Sequence, residues 1–208
     1  MRKKYIIFTS ITLIFICFLV LLYIKRTPEE EVIKNPVEVL GNIGLSDNVL
    51  KHREDVGKFA KEFKVEPYIP ILMAIIEVES HGEHHDLMKS SESLGLPPST
   101  LRLEASIEQG CKYFSELLVL AREKECNINT VIQAYNYGPG FIEFVAKQGK
   151  SYTYALAEKY AHEKAEGIKV DFIENVAVDI NGGWRYQYGN QFYVLAVNQY
   201  LIHIAKDL

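Results

Sequence analysis

Pro67-Tyr68-Ile69-Pro70-Ile71-Leu72-Met73-Ala74-Ile75-Ile76-Glu77-Val78-Glu79, followed by Ser80, His81 and Gly82, is the stretch that decides how this chain folds. From Ile69 to Ile76 nothing is charged. A surface helix interrupts its apolar face with polar residues at every turn, so this run reads as a helix buried on most sides. Gly82 supplies a stop signal. Glu79 then falls in the last turn of a buried helix. Burial destabilises a carboxylate, and so does the partial negative charge of a helix C-terminus. A carboxyl group kept protonated near neutral pH in this way can serve as a general acid. A lone glutamate at a helix end ordinarily frays into solvent, so Glu79 needs partners before it means anything. Glu77, two positions away, points to the opposite side of the helix.

Outward from this helix the pattern stays helical. Ser46 caps a helix expected to run to about Phe63, with Leu50, Val56, Phe59, Ala60 and Phe63 on one side. His81 to Pro98 is irregular, polar and rich in serine. Helices are expected over Ser106 to about Lys124, Asn129 to Tyr135, Phe141 to Lys147 and Thr153 to Glu166. Gly138-Pro139-Gly140 breaks the chain. Residues 170–187 are ambiguous, with a turn at Gly182-Gly183, and Gln191 to Ile204 reads as a closing helix. No long alternating strand is present. The fold class is all-α or mostly α, several helices arranged around one buried central helix.

Two clusters stand near Glu79 as partners. Asp86 follows seven residues on, across the helix-breaking Gly82, in His81-Gly82-Glu83-His84-His85-Asp86. Two carboxylates at one cleft are the minimum for glycoside hydrolysis: one protonated to donate to the leaving oxygen, one ionised to steer water or offset positive charge. The second cluster is Gln133-Ala134-Tyr135-Asn136-Tyr137-Gly138. Its phenol, amide and tight turn suit sugar hydroxyls, N-acetyl groups and a pyranose face. The three histidines beside Glu83 and Asp86 suggest zinc only weakly. No His-Glu-x-x-His pattern is present, and Gly82 interrupts any helix that would align ligands at i and i+4. No metal and no cofactor is expected.

These residues together carry a resemblance. Glu79-Ser80 at the end of an apolar helix, followed by Ala134-Tyr135-Asn136-Tyr137-Gly138, resembles the lysozyme-like superfamily of goose-type lysozymes and lytic transglycosylases. Asp86-Leu87-Met88-Lys89-Ser90-Ser91-Glu92-Ser93-Leu94-Gly95 is similar to the signature D-(I/L)-M-Q-S-S-E-S-x-G of a Gram-positive branch. That branch includes the lysozyme-like domain of bifunctional cell-wall hydrolases on conjugative elements and the homologues of pneumococcal vaccine antigen A. Ser106-Ile107, Gly110, Tyr113 and Phe114 match a further motif of the branch. The resemblance covers roughly residues 46–204. It implies a catalytic acid at Glu79 and a second acidic residue at Asp86, with substrate contacts from Ser91, Ser93, Gln133, Tyr135 and Asn136. Glu92 lies in the signature loop, where it is expected to hold the loop in shape. Lys89 departs from the branch, which has glutamine there. The change puts a polar substrate contact in doubt or adds a cation near the cleft.

The rest of the chain bounds where such a domain would work. Tyr5 to Ile24 is about 20 uncharged residues, enough for a helix across a bilayer core. Arg2, Lys3 and Lys4 precede it, and Lys25 and Arg26 close it. No Ala-x-Ala pattern follows, which favours a retained membrane anchor (residues 1–26) over a cleaved signal. The basic excess before the span weakly favours an inside N-terminus and an extracellular domain. Residues 27–45, with Pro28, Pro36 and an acidic triplet, read as a linker, and residues 46–208 as one domain. The segment 1–26 holds five of the 23 Lys+Arg and none of the 27 Asp+Glu. That leaves 18 basic against 27 acidic residues, a net charge of −9 for the remainder. Such an acidic domain lacks the basic footprint of a nucleic-acid binder. Cys17 lies inside the apolar span. Cys111 lies early in a predicted helix and Cys126 beyond its end, and an uninterrupted helix would hold them roughly 20 Å apart, too far for a disulfide.

The expected activity is therefore cleavage of the β-1,4 bond between N-acetylmuramic acid and N-acetylglucosamine in peptidoglycan glycan strands. A water-activating Asp86 implies inverting hydrolysis, with carboxyls roughly 6.5–9.5 Å apart. If Asp86 is absent from the cleft, a lytic transglycosylase is implied instead, in which the sugar's own 6-hydroxyl attacks. A non-catalytic wall-binding scaffold and a metal-dependent hydrolase are the alternatives from other classes. Local wall remodelling, a passage for a secretion or conjugation machine, and attack on neighbouring cells are all compatible with the activity. A membrane tether limits reach and favours the first.

Overall fold

The computed structural model describes residues 44–201. The apolar span, nearly all of the linker and the last residues of the expected closing helix lie outside this range. Among the described residues, no helix is long and apolar enough to cross a membrane.

The decisive stretch forms helix α3 (Ile69–Ser80), preceded by α1 (Asp47–Leu50) and α2 (Arg53–Glu62). Pro70 sits in its first turn, where the missing N–H costs nothing. Every residue from Leu72 to Ile76 is fully buried, each large apolar side chain contributing about 1.5–3 kcal/mol. The helix stops where His81 turns left-handed at φ 51° and Gly82 follows at φ 70°. A Cβ at Gly82 would lie 2.5 Å from the carbonyl oxygen of Asn48, so only glycine lets the exit loop touch α1.

That contact also bears on one departure from expectation. The helix expected from Ser46 to Phe63 is two, broken at Lys51-His52. The N-terminus of α1 is fixed to α3, because the backbone N–H of Ser46 donates to the buried Glu77 carboxylate at 2.7 Å. The Ser46 side chain caps α1 as expected.

The other helices are α4 (Leu103–Glu123), α5 (Ile128–Tyr137), α6 (Gly140–Ala146) and α7 (Tyr154–Lys164). Asn127 and Thr153 cap α5 and α7 with their side chains. The ambiguous region resolves into a short antiparallel pair, β1 (Lys169–Asp171) and β2 (Trp184–Tyr186), enclosing α8 (Asn175–Asn181). The turn expected at Gly182-Gly183 is present, with both glycines at positive φ. Helix α9 (Tyr193–Asn198) packs across α3 and α5. The domain is thus mostly helical, with α3 at its centre. Cys111 is buried within α4, where burial pushes its thiol up to about 12, and neither Cys111 nor Cys126 is in a disulfide.

Candidate active site

Glu79 sits in the last turn of α3, half-buried, and lines two cavities of about 440 and 290 Å³. Asn136, at the end of α5, lines both as well. The two residues therefore stand where one cavity meets the other. The larger is walled by Phe172, Glu174, Asn190 and Tyr193, the smaller by Lys89, Glu92, Ser93, Tyr113 and Tyr135.

The Tyr193 hydroxyl donates to Oε1 of Glu79 at 2.7 Å. Among the described residues nothing donates to Oε2. Burial raises the Glu79 pKa above the ordinary carboxylate value. The Tyr193 hydrogen bond and the Lys89 charge pull it down, and Glu92 and Asp86 push it up. Desolvation is the largest of these and the net direction is upward, as the sequence leads one to expect. Tyr193 is itself buried, and its phenol is raised well above its usual value by burial and by Glu79. It therefore acts as a fixed donor.

Asp86 stands elsewhere. It is 1% exposed and lines neither cavity. Its Oδ1 accepts from the Ser90 N–H at 3.0 Å and the Ser106 hydroxyl at 2.6 Å. Its Oδ2 accepts from the N–H and hydroxyl of Ser91. A carboxylate with four donors is paired by hydrogen bonds in place of water, the condition for burying it. This arrangement folds the signature loop around Asp86 and leaves no oxygen facing substrate. Glu92 is the carboxylate that shares the smaller cavity with Glu79, and its side chain is exposed there.

The residues expected to touch substrate divide in the same way. Ser93, Tyr135 and Asn136 line the smaller cavity. Ser91 is fully buried: beyond its bond to Asp86, it accepts from the N–H groups of Thr100 and Leu101. Gln133 is fully buried and donates to the carbonyl of Asn190 at 2.9 Å. Asn136 accepts from the N–H of the same Asn190 at 2.7 Å. Two side chains of α5 thus hold the backbone of Asn190 through both its N–H and its C=O, three residues before Tyr193. Tyr135 donates to the carbonyl of Met88 at 3.0 Å and pins the signature loop from the other side. The motifs build the walls of the site as much as its surface.

Glu77, the rival acid, is buried and turned away, bound to the Ser46 N–H and to Nδ1 of His81 at 3.1 Å. With His81 on Glu77 and Asp86 among serines, the histidine-rich loop does not converge. Among the described residues no cluster of three or more metal-ligating side chains occurs. Sequence reasoning missed Tyr193, Asn190 and Phe172. Phe172 comes from the region read as ambiguous, Tyr193 from the expected closing helix and Asn190 from the connection between them, and no local pattern marks them.

A half-buried acid between two cavities, at the end of a central apolar helix, defines a lysozyme-like domain. The chain belongs to this family: residues 46–201 match the family described as Lysozyme-like. It is 32% identical over 167 residues to the bifunctional muramidase/DL-endopeptidase CwlT of Bacillus subtilis, covering 80% of this chain and 45% of that protein. It is 34% identical over 146 residues to pneumococcal vaccine antigen A of Streptococcus pneumoniae, covering 64% and 70%. A solved Staphylococcus aureus structure, described as similar to lipoprotein, NLP/P60 family, superposes with a TM-score of 0.75. The identity is 53%, over 76% of this chain and 53% of that one. The chain thus spans about half the length of the first relative and of the solved chain. Family and relatives support a cell-wall hydrolase in general.

Proposed function

We propose that this domain cleaves the β-1,4 bond between N-acetylmuramic acid and N-acetylglucosamine in peptidoglycan, with Glu79 as the general acid. The observation that carries the reading is Glu79 itself: a carboxyl group raised in pKa by burial, held at one oxygen by Tyr193, with the other oxygen unengaged where two cavities meet. The Oε2 proton passes to the glycosidic oxygen as its bond to C1 of the muramic residue breaks. Positive charge develops at C1, and the departing sugar leaves with a free hydroxyl.

Two nucleophiles can complete the reaction. In hydrolysis a water oxygen bonds to C1 and its proton goes to an ionised carboxylate. Glu92 fills that role in this reading, because it faces the cavity and Asp86 does not. In transglycosylation the 6-hydroxyl of the same muramic residue attacks, and its proton returns to Glu79. The enclosure of Asp86 by three serines favours this second reading over an Asp86-driven hydrolysis. Digestion of purified peptidoglycan by the full-length chain and by Glu79→Gln, with mass spectrometry of the products, tests both. Reducing ends support hydrolysis and anhydro ends support transglycosylation. Equal cleavage by both proteins rejects Glu79 as the acid, and cleavage by neither favours a wall-binding scaffold.

The apolar span at residues 5–24 supports a membrane-anchored enzyme with its domain outside the cell, remodelling the wall within reach of its tether. Membrane fractionation and protease accessibility of intact cells test this placement.

A further inference from the structure

We propose that Lys89 selects for a carboxylate on the muramoyl side of the substrate. This inference rests on the glycan-cleaving reading above and narrows it to a substrate class. Among the described residues, Lys89 is the only lysine or arginine lining either cavity that Glu79 borders. Its neighbours on both sides are buried and held: the Met88 N–H by the Ser106 hydroxyl and the Ser90 N–H by Asp86. Lys89 alone of the three is exposed, on a left-handed backbone at φ 43° that its own N–H fixes by donating to the Asp86 carbonyl at 3.1 Å. A residue without glycine's freedom occupies this conformation only when its surroundings impose it. Among the described residues Lys89 forms no ion pair. The four recorded pairs are Lys58–Glu104, His81–Glu77, Lys124–Glu143 and Lys150–Glu125.

An unpaired ammonium on a fixed stalk at the wall of a glycan site fits an anion. Hydroxyls and N-acetyl groups are neutral. The anionic groups that peptidoglycan offers next to the scissile bond are carboxylates. One is the lactyl carboxylate of muramic acid, free where the stem peptide has been removed. The other kind is the carboxylate of a stem peptide still attached. Both present the same chemistry to Lys89. Glu92, on the same wall, opposes an anion and keeps the preference modest. An exposed pair of this kind supports a preference of about fivefold.

The test uses the full-length chain, its Lys89→Gln and Lys89→Arg variants, and four glycan preparations. These are strands stripped of stem peptide, the same strands with lactyl carboxylates converted to methylamides, and peptide-bearing strands with and without blocked carboxylates. Binding is measured in a Glu79→Gln background and cleavage in the active protein. We expect about fivefold tighter binding, and a correspondingly lower KM, for one carboxylate form over its blocked counterpart. Raised salt should weaken the preference, Lys89→Arg keep it and Lys89→Gln abolish it. Which preparation shows the preference identifies the carboxylate. An equal ratio in wild type and Lys89→Gln overturns the proposal. So does a Lys89→Gln effect confined to the pH profile and identical on every preparation. Carboxylate-dependent binding without cleavage sustains the role of Lys89 and removes the glycosidase reading. Failure to bind any preparation removes both.

Discussion

The hydroxyl of Tyr193 donates to the carboxyl of Glu79 across 114 positions of sequence, and the two side chains meet at 2.7 Å. The bond does two opposed things. It fixes the direction of the acid, and it favours the ionised form that the surrounding burial disfavours. Tyr193→Phe should therefore lower kcat by about tenfold through lost positioning, an effect of about 1.4 kcal/mol. It should also move the alkaline limb of the kcat profile to higher pH, because an ionising influence is gone. Steady-state rates across pH on solubilised glycan check both signs.

Glu79→Gln should reduce cleavage by about 10²–10⁴ and yet stabilise the fold. The folded-state pKa of Glu79 is raised. Its contribution to stability is fully present below the ordinary carboxyl pKa and is lost as pH rises through the folded value. Glutamine loses nothing over that interval. The variant should match wild type in thermal unfolding near pH 4 and exceed it at pH 8. A wild type that is the more stable at pH 8 would mean that Glu79 ionises as readily as an exposed acid.

Lys89 and Glu92 act on Glu79 with opposite signs. Lys89→Gln removes a charge that favours ionisation, so the alkaline limb should move up. Glu92→Gln removes a charge that opposes it, so the limb should move down. Both shifts should shrink in concentrated salt, since both side chains are exposed. Shifts of the same sign would contradict this electrostatic arrangement.

Asp86→Asn places an amide N–H₂ where two serine donors now point. The clash of donors should cost about 1–3 kcal/mol of stability. At a temperature where the variant is folded, cleavage should remain well above that of Glu79→Gln, with the product ends unchanged. A folded Asp86→Asn as inactive as Glu79→Gln would return Asp86 to the chemistry.

Gly110→Ala tests the seat of the signature loop. An added Cβ would lie 2.4 Å from the sulfur of Met88 and 2.8 Å from its Cβ. The sulfur can swing away but the Cβ cannot without moving Met88, so the substitution should cost about 1–3 kcal/mol. It should also displace Lys89 next door and raise KM more than it lowers kcat.

Helix α3 and the place of Glu79 were legible because an uncharged run has one economical solution, burial, and a charge at its end then inherits that environment. The helices α4 to α7 were legible to within a few residues at their ends. The surroundings of Asp86 were not. Sequence spacing shows that a carboxylate returns towards the helix end, but not that Ser90, Ser91 and Ser106 close around it. The excess of serine in that loop was the available sign, since hydroxyls can replace water about a buried charge. The break between α1 and α2 was hidden because it accompanies contacts more than 30 residues distant, at Glu77 and Gly82. Tyr193 was hidden for the same reason. Its helix carries no local mark of function, and its value arises only where it lands.

The grip of Gln133 and Asn136 on the peptide of Asn190 sets an order of events as well as a geometry. A chain emerges from its N-terminus, so the acid, the signature loop and the gripping side chains all appear before the segment they hold. Until Asn190 is held and Tyr193 delivered, Glu79 lacks the hydroxyl that fixes its direction. A polypeptide halted or clipped before that point would carry Glu79 and the signature loop without that partner. The last strap to close is also the one that aims the Glu79 carboxyl.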